Sequence, residues 1–152
     1  MCQRRCCKLE RISALLGLLN DYKNLPLAQR DYPIETRLLK RLGNLHQTLG
    51  RWVEAEKCYQ QDLAICREFG DRVGEGQTLG NLALIQEAQG EIAGALELAR
   101  QAEAVFEKTE DKTALERARA RVAEWAKVAG QVPLPVNRSG NNPRTIITGT
   151  EA

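Results

Sequence analysis

One pattern of residues occurs twice in this chain at a spacing of forty positions, and a third copy begins after the second. Val122 and Gly130 lie forty positions beyond Leu82 and Gly90. A fixed period of about 20 to 50 residues, built from two amphipathic helices, predicts a solenoid, because each unit buries its apolar face only by stacking on a neighbour. The paired residues of the two copies are Leu39 and Leu79, Leu42 and Leu82, Gly43 and Ala83, Leu49 and Gln89, Gly50 and Gly90, Trp52 and Ile92, Ala55 and Ala95, and Tyr59 and Ala99.

Changes in this periodicity divide the chain into four parts. The repeats are flanked by one amphipathic helix, predicted over about residues 8 to 22, and by a final stretch rich in Pro, Asn and Gly that has no periodicity. The segments are residues 1–8, expected to be flexible; 9–33, a helix and linker; 34–130, the repeats, with units at 34–70 and 71–110 and a capping helix at 111–130; and 131–152, expected to be a disordered tail.

Glycine, proline and aspartate predict where the helices begin and end. Asp31-Tyr32-Pro33 is typical of a helix start, and Gly50 interrupts the apolar stripes of the first unit. Gly70 is a helix terminator and Asp71 an N-cap, and Asp111 is expected to cap the last helix. The sequence thus predicts an all-α fold, a short α-solenoid of antiparallel helix pairs.

Composition limits the classes of partner. The chain has 152 residues and a net charge of +2, too near balance to favour nucleic acid as the main partner. No apolar run is long enough to span a bilayer, and the first residues lack the apolar stretch of a secretory signal. A cytoplasmic protein that binds neither nucleic acid nor membrane is therefore expected.

Five cysteines and one histidine, with no Cys-x-x-Cys pair, indicate neither a disulfide framework nor a metal site. Cys58 and Cys66 follow a helical period and are expected to act as small apolar side chains. Cys2, Cys6 and Cys7 lie among basic residues. They are either incidental thiols of a flexible segment, reactive thiols, or acylation sites if the source is a eukaryote.

Catalysis has little support in the residues. His46 lies on an apolar stripe, where a satisfied and partly buried imidazole is expected rather than a base. The acidic residues are scattered over predicted solvent faces, and no glycine-rich phosphate loop occurs. Trp52 and Tyr59 stand in the core register, so packing is expected rather than base stacking. We therefore expect no enzyme activity and no cofactor.

The first unit resembles a tetratricopeptide repeat. Leu42-Gly43 in its first helix, Gly50 at the turn, and then Ala55 and Tyr59 match the pattern of that family. The second unit fits less fully, because Ala99 replaces the aromatic residue. The forty-residue spacing is similar to the variety found in kinesin light chains and many bacterial signalling proteins. The resemblance implies stacked helix pairs that bind other proteins.

The resemblance also implies which side chains line the concave groove of the first helices. The groove positions, carried over by register, are Arg37, Lys40, Asn44, Gln47, Gln77, Asn81, Leu84, Arg117, Arg121 and Glu124. One subgroup of the family grips the C-terminal carboxylate of chaperone peptides with five of these positions. They correspond here to Lys40, Asn44, Asn81, Arg117 and Arg121.

Three functions remain open on this basis. The groove is expected to bind a peptide in general, or an acidic or C-terminal carboxylate peptide in particular, with asparagine amides on the backbone and cations on the carboxylate. Alternatively, the repeats belong to a larger regulatory or signalling ATPase-type protein and associate with themselves as a homodimer.

Overall fold

The computed structural model describes residues 2–26 and 31–131, and the side chains of residues 6–26 and 31–130. All regular secondary structure in these ranges is helical, and each helix packs against the next one along the chain. This arrangement confirms the predicted all-α solenoid. The helices are α1 (Cys2–Lys23), α2 (Tyr32–Thr48), α3 (Trp52–Phe69), α4 (Arg72–Ala88), α5 (Ile92–Phe106) and α6 (Lys112–Gln131).

The first helix begins earlier than predicted. The expected flexible segment was residues 1–8, but α1 starts at Cys2 and continues to Lys23. Residues 2–8 contain neither glycine nor proline, and Gln, Arg and Lys favour a helix, so nothing in this stretch stops the helix from extending toward its N-terminus. The predicted tail, apart from Gln131 at the end of α6, lies outside the described residues.

The same turn joins the two helices of each repeat. Gly50 and Gly90 adopt φ angles of 72° and 85°, a left-handed conformation that favours glycine because other residues have a Cβ that clashes there. In the first turn, the N–H of Arg51 donates to the carbonyl of His46 over 2.9 Å. In the second, the N–H of Glu91 donates to the carbonyl of Gln86 over 2.8 Å. This hydrogen bond satisfies a terminal carbonyl of each first helix and fixes the angle of the helix pair.

Aspartate caps join the units, as predicted. The Asp71 carboxylate accepts the N–H of Gly74 over 2.8 Å, and the Asp111 carboxylate accepts the N–H of Ala114 over 3.0 Å. Gly70 ends α3 with a φ of 70°. Asp31 precedes α2 at the predicted position but forms no side-chain cap hydrogen bond. Local sequence signals therefore account for most helix boundaries.

Apolar clusters run along the stack of helices. Ile12 and Leu19 of α1 pack against Leu39 and Leu42 of α2, so the N-terminal helix covers one end of the first repeat. Ala55 and Ala95, which occupy equivalent positions of the two repeats, are fully buried. Each lies in an apolar cluster of its own along the stack.

The two repeats fill their centres differently. A Cβ on Gly43 would lie 2.5 Å from Cε1 of Tyr59, so this glycine makes room for the buried tyrosine ring. In the second repeat Ala99 replaces Tyr59, and Trp125 of α6 packs against the small residues there, including Ala83. The indole thus occupies part of the space that a smaller second-helix residue leaves open.

The indole of Trp125 determines how α6 packs. Trp125 is buried, whereas the adjacent Ala126 is exposed. An alanine-rich stripe gives a weak signal, because alanine buries little apolar surface, and the much larger indole determines which face of α6 packs inward.

Candidate functional site

A concave cavity of about 560 Å³ opens between α2, α4, α5 and α6. Most of its polar lining comes from α2, α4 and α6, and Asp111 and Thr113 add to it where α6 begins. The lining side chains that were predicted to bind a peptide are Lys40, Asn44, Gln77, Asn81, Arg117 and Arg121. We call this surface the groove. Six of the eight residues predicted to bind a peptide therefore lie on one surface.

The other two predicted residues lie off this surface. Arg37 is exposed on α2 and does not line the cavity. Gln47 is turned toward the inside of the first repeat, where its amide oxygen accepts a hydrogen bond from the Tyr59 hydroxyl over 3.2 Å. Leu84 packs against the cluster around Trp125, and Glu124 is exposed; neither lines the cavity.

The floor of the groove is apolar and made mainly of small residues. Within α4, α5 and α6 these residues follow helical spacing, which places them on the inward faces of the three helices. Phe106 and Trp125 are the large side chains of this floor. Its small residues are Gly76, Gly80 and Ala83 on α4, Ala99 and Ala102 on α5, and Ala114 and Ala118 on α6.

Lys40 forms an ion pair with a buried carboxylate beneath the groove. Its Nζ lies 3.7 Å from Oδ2 of Asp62, which has no exposed surface, while the lysine side chain is 23% exposed. The Thr78 hydroxyl also donates to Asp62. Burial raises the pKa of Asp62, while Thr78 and Lys40 act in the opposite direction. Part of the positive charge of Lys40 is therefore balanced from within the protein.

Asp62 is buried, although the acidic residues were expected on solvent faces. The available signal was its spacing. Asp62 lies three residues after Tyr59 and four before Cys66, on the stripe that both of them occupy. Both neighbours are fully buried.

Asn44 is held in place by the tyrosine of the same repeat. Its amide oxygen accepts a hydrogen bond from the Tyr59 hydroxyl over 2.6 Å, and burial raises the pKa of Tyr59 to about 12, so the hydroxyl stays protonated at neutral pH. With its oxygen occupied, Asn44 offers the groove mainly its amide N–H donors. Such donors match the carbonyl groups of a peptide backbone.

Arg117 and Arg121 form a cationic pair one turn apart on α6. Among the described residues, neither forms an ion pair. The guanidinium carbon of Arg121 lies 6.0 Å from the ring centroid of Trp125, whose indole N–H donates to Glu87 over 2.8 Å. Arg119 on the same helix contrasts with both, because it pairs with Glu103 at 3.1 Å and with Glu107 at 2.9 Å. The two groove arginines thus keep their charge available for an anion.

His46 is buried as expected but is not satisfied. Its side chain is 6% exposed, and its Nδ1 has no hydrogen-bond partner among the described residues. Burial lowers the pKa of His46, Glu54 opposes this effect, and Arg51 adds to it. His46 does not line the groove. The expectation of a satisfied imidazole was therefore wrong for one ring nitrogen.

The cysteines differ in exposure. Cys66 is buried and Cys58 half-buried, and burial raises the pKa of both thiols, that of Cys66 to about 11, which suits the predicted role of a small apolar side chain. Cys6 and Cys7 are exposed and unpaired on α1. The side chain of Cys2 lies outside the described residues.

The described residues contain neither a metal-binding cluster nor a membrane-spanning helix. No group of three or more His, Cys, Asp or Glu side chains there is arranged to hold a metal ion. No helix in that part of the chain combines the length and apolar character needed to cross a membrane.

Comparison with known proteins identifies the repeats. The family model of the tetratricopeptide repeat matches residues 35–108, the span from the first turn of α2 to just past the end of α5. Residues 35–108 are therefore tetratricopeptide repeats, which are non-catalytic repeats that generally mediate protein–protein interactions. A search of curated proteins found no match to the chain.

Proposed function

We propose that this protein is a non-catalytic binding module that holds a peptide segment of another protein in the groove. The observation that supports this most is the gathering of polar side chains from α2, α4 and α6 around one cavity of about 560 Å³ with an apolar floor. Apolar pockets with a few convergent polar groups are the usual form of a binding site.

Asparagine and arginine have separate tasks in this proposal. Asn44 and Asn81 donate to backbone carbonyls, so they hold a segment of any sequence. Arg117 and Arg121 supply charge-assisted hydrogen bonds to a carboxylate, which are stronger than neutral hydrogen bonds. The segment is therefore acidic, and its carboxylate comes either from side chains or from a C-terminus.

The unequal charges of the groove set the position of that carboxylate. Lys40 is partly balanced by Asp62, whereas neither Arg117 nor Arg121 forms an ion pair with a described residue. We therefore place the acidic group of the partner beside α6 rather than beside α2. This differs from a clamp in which all three cations contribute equally.

The test is a titration of peptides in pairs that differ only in a free or an amidated C-terminus. Wild type, Arg121→Ala and Asn81→Ala are compared, with Arg100→Ala as the control, because Arg100 is an exposed cation of α5 that does not line the groove. Tighter binding of free termini supports a C-terminal carboxylate, and equal affinity assigns the acid to side chains. The absence of binding by any peptide would overturn the proposed function.

A second candidate function is self-association, favoured by exposed leucines of α1. Leu9 and Leu16, which lie two turns apart on one face of the helix, are 42% and 47% exposed. In this case two copies join through α1 as a homodimer, as expected for the repeat module of a larger regulatory protein. Light scattering over a range of concentrations tests it: a monomer throughout excludes the dimer, and a dimer that Leu16→Glu dissociates supports it.

A further inference from the structure

Asp62 is a carboxyl group buried where three helices meet beneath the groove. It lies on α3, which packs against α2 and α4. Lys40 of α2 and Thr78 of α4 both reach its Oδ2 atom, whereas Oδ1 has the Cys66 thiol, 3.9 Å away, as its partner. A thiol is a weak donor, so the ionised carboxylate has little compensation for its complete burial.

The neutral form of Asp62 completes a chain of hydrogen bonds. The hydroxyl of Thr78 has one proton and two acceptors, Oδ2 of Asp62 and, at 2.9 Å, the carbonyl oxygen of Gly74. When Asp62 is protonated, its own O–H donates to the Thr78 oxygen, and the hydroxyl proton of Thr78 turns to Gly74. Each of the three groups then has a partner, and no charge is buried.

The titratable groups around Asp62 and its neighbour Cys66 come from all three helices. They are Lys40 on α2, Tyr59 on α3, and Asp71 and Glu75 at the start of α4. Burial raises the pKa of Asp62 above the ordinary value of 3.8, Thr78 and Lys40 oppose this effect, and Asp71 adds to it. The charge of Asp62 is therefore one that a fall in pH removes.

We infer that Asp62, by gaining or losing a proton, controls whether Lys40 pairs within the protein or faces the groove. With the carboxylate ionised, the ammonium of Lys40 lies 3.7 Å from it, and the unpaired groove cations among the described residues are Arg117 and Arg121. With the carboxyl neutral, this attraction is lost. Lys40, whose side chain is 23% exposed and lines the cavity, then turns to the groove as a third cation.

The same coupling operates in the opposite direction. An anion in the groove that draws Lys40 away leaves Asp62 without its cation and so raises the affinity of Asp62 for a proton. By linkage, the binding of an anion takes up a proton, and acid strengthens the binding of anions. This consequence rests on the proposed function, whereas the control of Lys40 by Asp62 does not.

Nuclear magnetic resonance of the whole chain tests this control without a ligand. The carboxyl carbon of Asp62 and the Nζ nitrogen of Lys40 are followed from about pH 8 to about pH 4, the range in which a raised carboxyl pKa falls. We expect the Asp62 carboxyl to titrate above 3.8 and the Lys40 signal to change at the same midpoint. Lys57, an exposed lysine of α3, should not change there. A Lys40 signal that does not change at the Asp62 midpoint overturns the inference.

Two variants separate this control from a general effect of charge. Asp62→Asn keeps the shape of the side chain but does not ionise, so the Lys40 signal should stay at its acid position over the whole range. Asp21→Asn is the matched control, because Asp21 is an exposed carboxyl of α1, and it should leave the Lys40 transition unchanged. Melting curves check that both variants fold. A Lys40 transition that persists in folded Asp62→Asn contradicts the inference; if this variant does not fold, the shared midpoint in wild type decides.

Binding of a peptide of six glutamates shows whether the released cation reaches a ligand. At about pH 7.5, Asp62→Asn should bind this peptide about twofold to fivefold more tightly than wild type, the scale of one exposed ion pair. The difference should disappear below the Asp62 midpoint, where wild type gains the same cation, because protonation of the peptide affects both proteins equally. Equal affinity at about pH 7.5 overturns the release of Lys40 into the groove. If neither protein binds the peptide, the acidic ligand of the proposed function fails, and the resonance titration alone decides the control by Asp62.

Discussion

The Nζ atom of Lys40 lies 3.7 Å from Oδ2 of Asp62, so a cation at the edge of the groove is joined to a carboxylate that has no exposed surface. Removal of the lysine leaves the buried charge with the Thr78 hydroxyl and the Cys66 thiol, whose Sγ lies 3.9 Å from Oδ1, as its remaining partners. Stability and groove charge therefore depend on the same ion pair.

Lys40→Met is expected to lower the free energy of unfolding by about 3 kcal/mol, the scale of breaking a buried ion pair. The double variant Lys40→Met with Asp62→Leu should lie within about 1 kcal/mol of wild type, because an apolar pair replaces the ion pair. The single hydroxyl proton of Thr78 is then available to the carbonyl of Gly74, which lies 2.9 Å away. Urea denaturation measures both. A double variant no more stable than Lys40→Met would contradict this account.

The close crossing of α4 and α5 gives a second prediction. Ala95 is fully buried beside Ala83, Ala99 and Trp125, so Ala95→Leu overpacks the crossing and should cost about 1–3 kcal/mol. Ala93→Leu on the exposed side of the same helix is the control and should change stability little. If both variants melt at the wild-type temperature, the assigned register of α5 is wrong.

The buried imidazole of His46 predicts a loss of stability in mild acid. Its pKa in the folded chain lies below the ordinary value of 6.5, so the unfolded chain binds this proton more readily. The contribution of His46 is therefore complete above about pH 6.5 and is lost as the pH falls from there toward the folded pKa. Protonation places a second positive charge near Arg51, although Glu54 partly offsets it.

His46→Leu isolates this effect. Asp62 acts in the opposite direction, since its raised pKa makes the folded chain the better proton acceptor, and its contribution falls as the pH rises above 3.8 toward the folded value. Asp62 is present in both wild type and His46→Leu, so its contribution cancels in the difference between their melting temperatures. We expect wild type to lose more stability than the variant between pH 7.5 and 5.5. Equal losses would show that His46 does not titrate differently in the two states.

Gly80 provides a fourth prediction, on stability rather than binding. Gly80→Ala should raise the free energy of unfolding by about 0.5–1 kcal/mol, because alanine has the higher helix propensity and its Cβ enters open space. Gly43→Ala should instead destabilise by about 1–3 kcal/mol, since the added Cβ would meet the Tyr59 ring at 2.5 Å. A destabilised Gly80→Ala variant would mean that the floor of the groove is already filled.

The sequence predicted the features of this fold that depend on residues close together along the chain. The turns at Gly50 and Gly90 and the caps at Asp71 and Asp111 follow from local backbone chemistry, and the forty-residue period fixed their order. The partners of Asp62 and Trp125 could not be predicted in this way, because they come from other helices: Lys40 and Thr78 lie on α2 and α4, and Glu87 lies on α4. No local pattern indicates such partners.

The residues of the candidate site could be predicted from the repeat, but their contacts with other helices could not. Register alone places Lys40, Asn44 and Asn81 around the groove, because repeats present equivalent positions to one surface. Register does not show whether the charges and hydrogen-bonding atoms of these side chains are already paired within the protein. The balancing of Lys40 by Asp62 and the fixing of Asn44 by Tyr59 are contacts between helices, and they change which groups are available to a ligand.

The last prediction separates the two kinds of groove contact. Arg121→Ala should weaken an acidic peptide by about 1.5–3 kcal/mol, the scale of a hydrogen bond to a charged group, and the affinity of wild type for that peptide should fall as salt screens the charges. Asn81→Ala should weaken acidic and neutral peptides by equal factors, because a backbone carbonyl is the same in both. Fluorescence polarisation at two salt concentrations measures these changes, with Arg100→Ala as the control. If Arg121→Ala left the salt dependence unchanged, the anion would not lie beside α6, and the charge asymmetry that Asp62 gives the groove would have no role in binding.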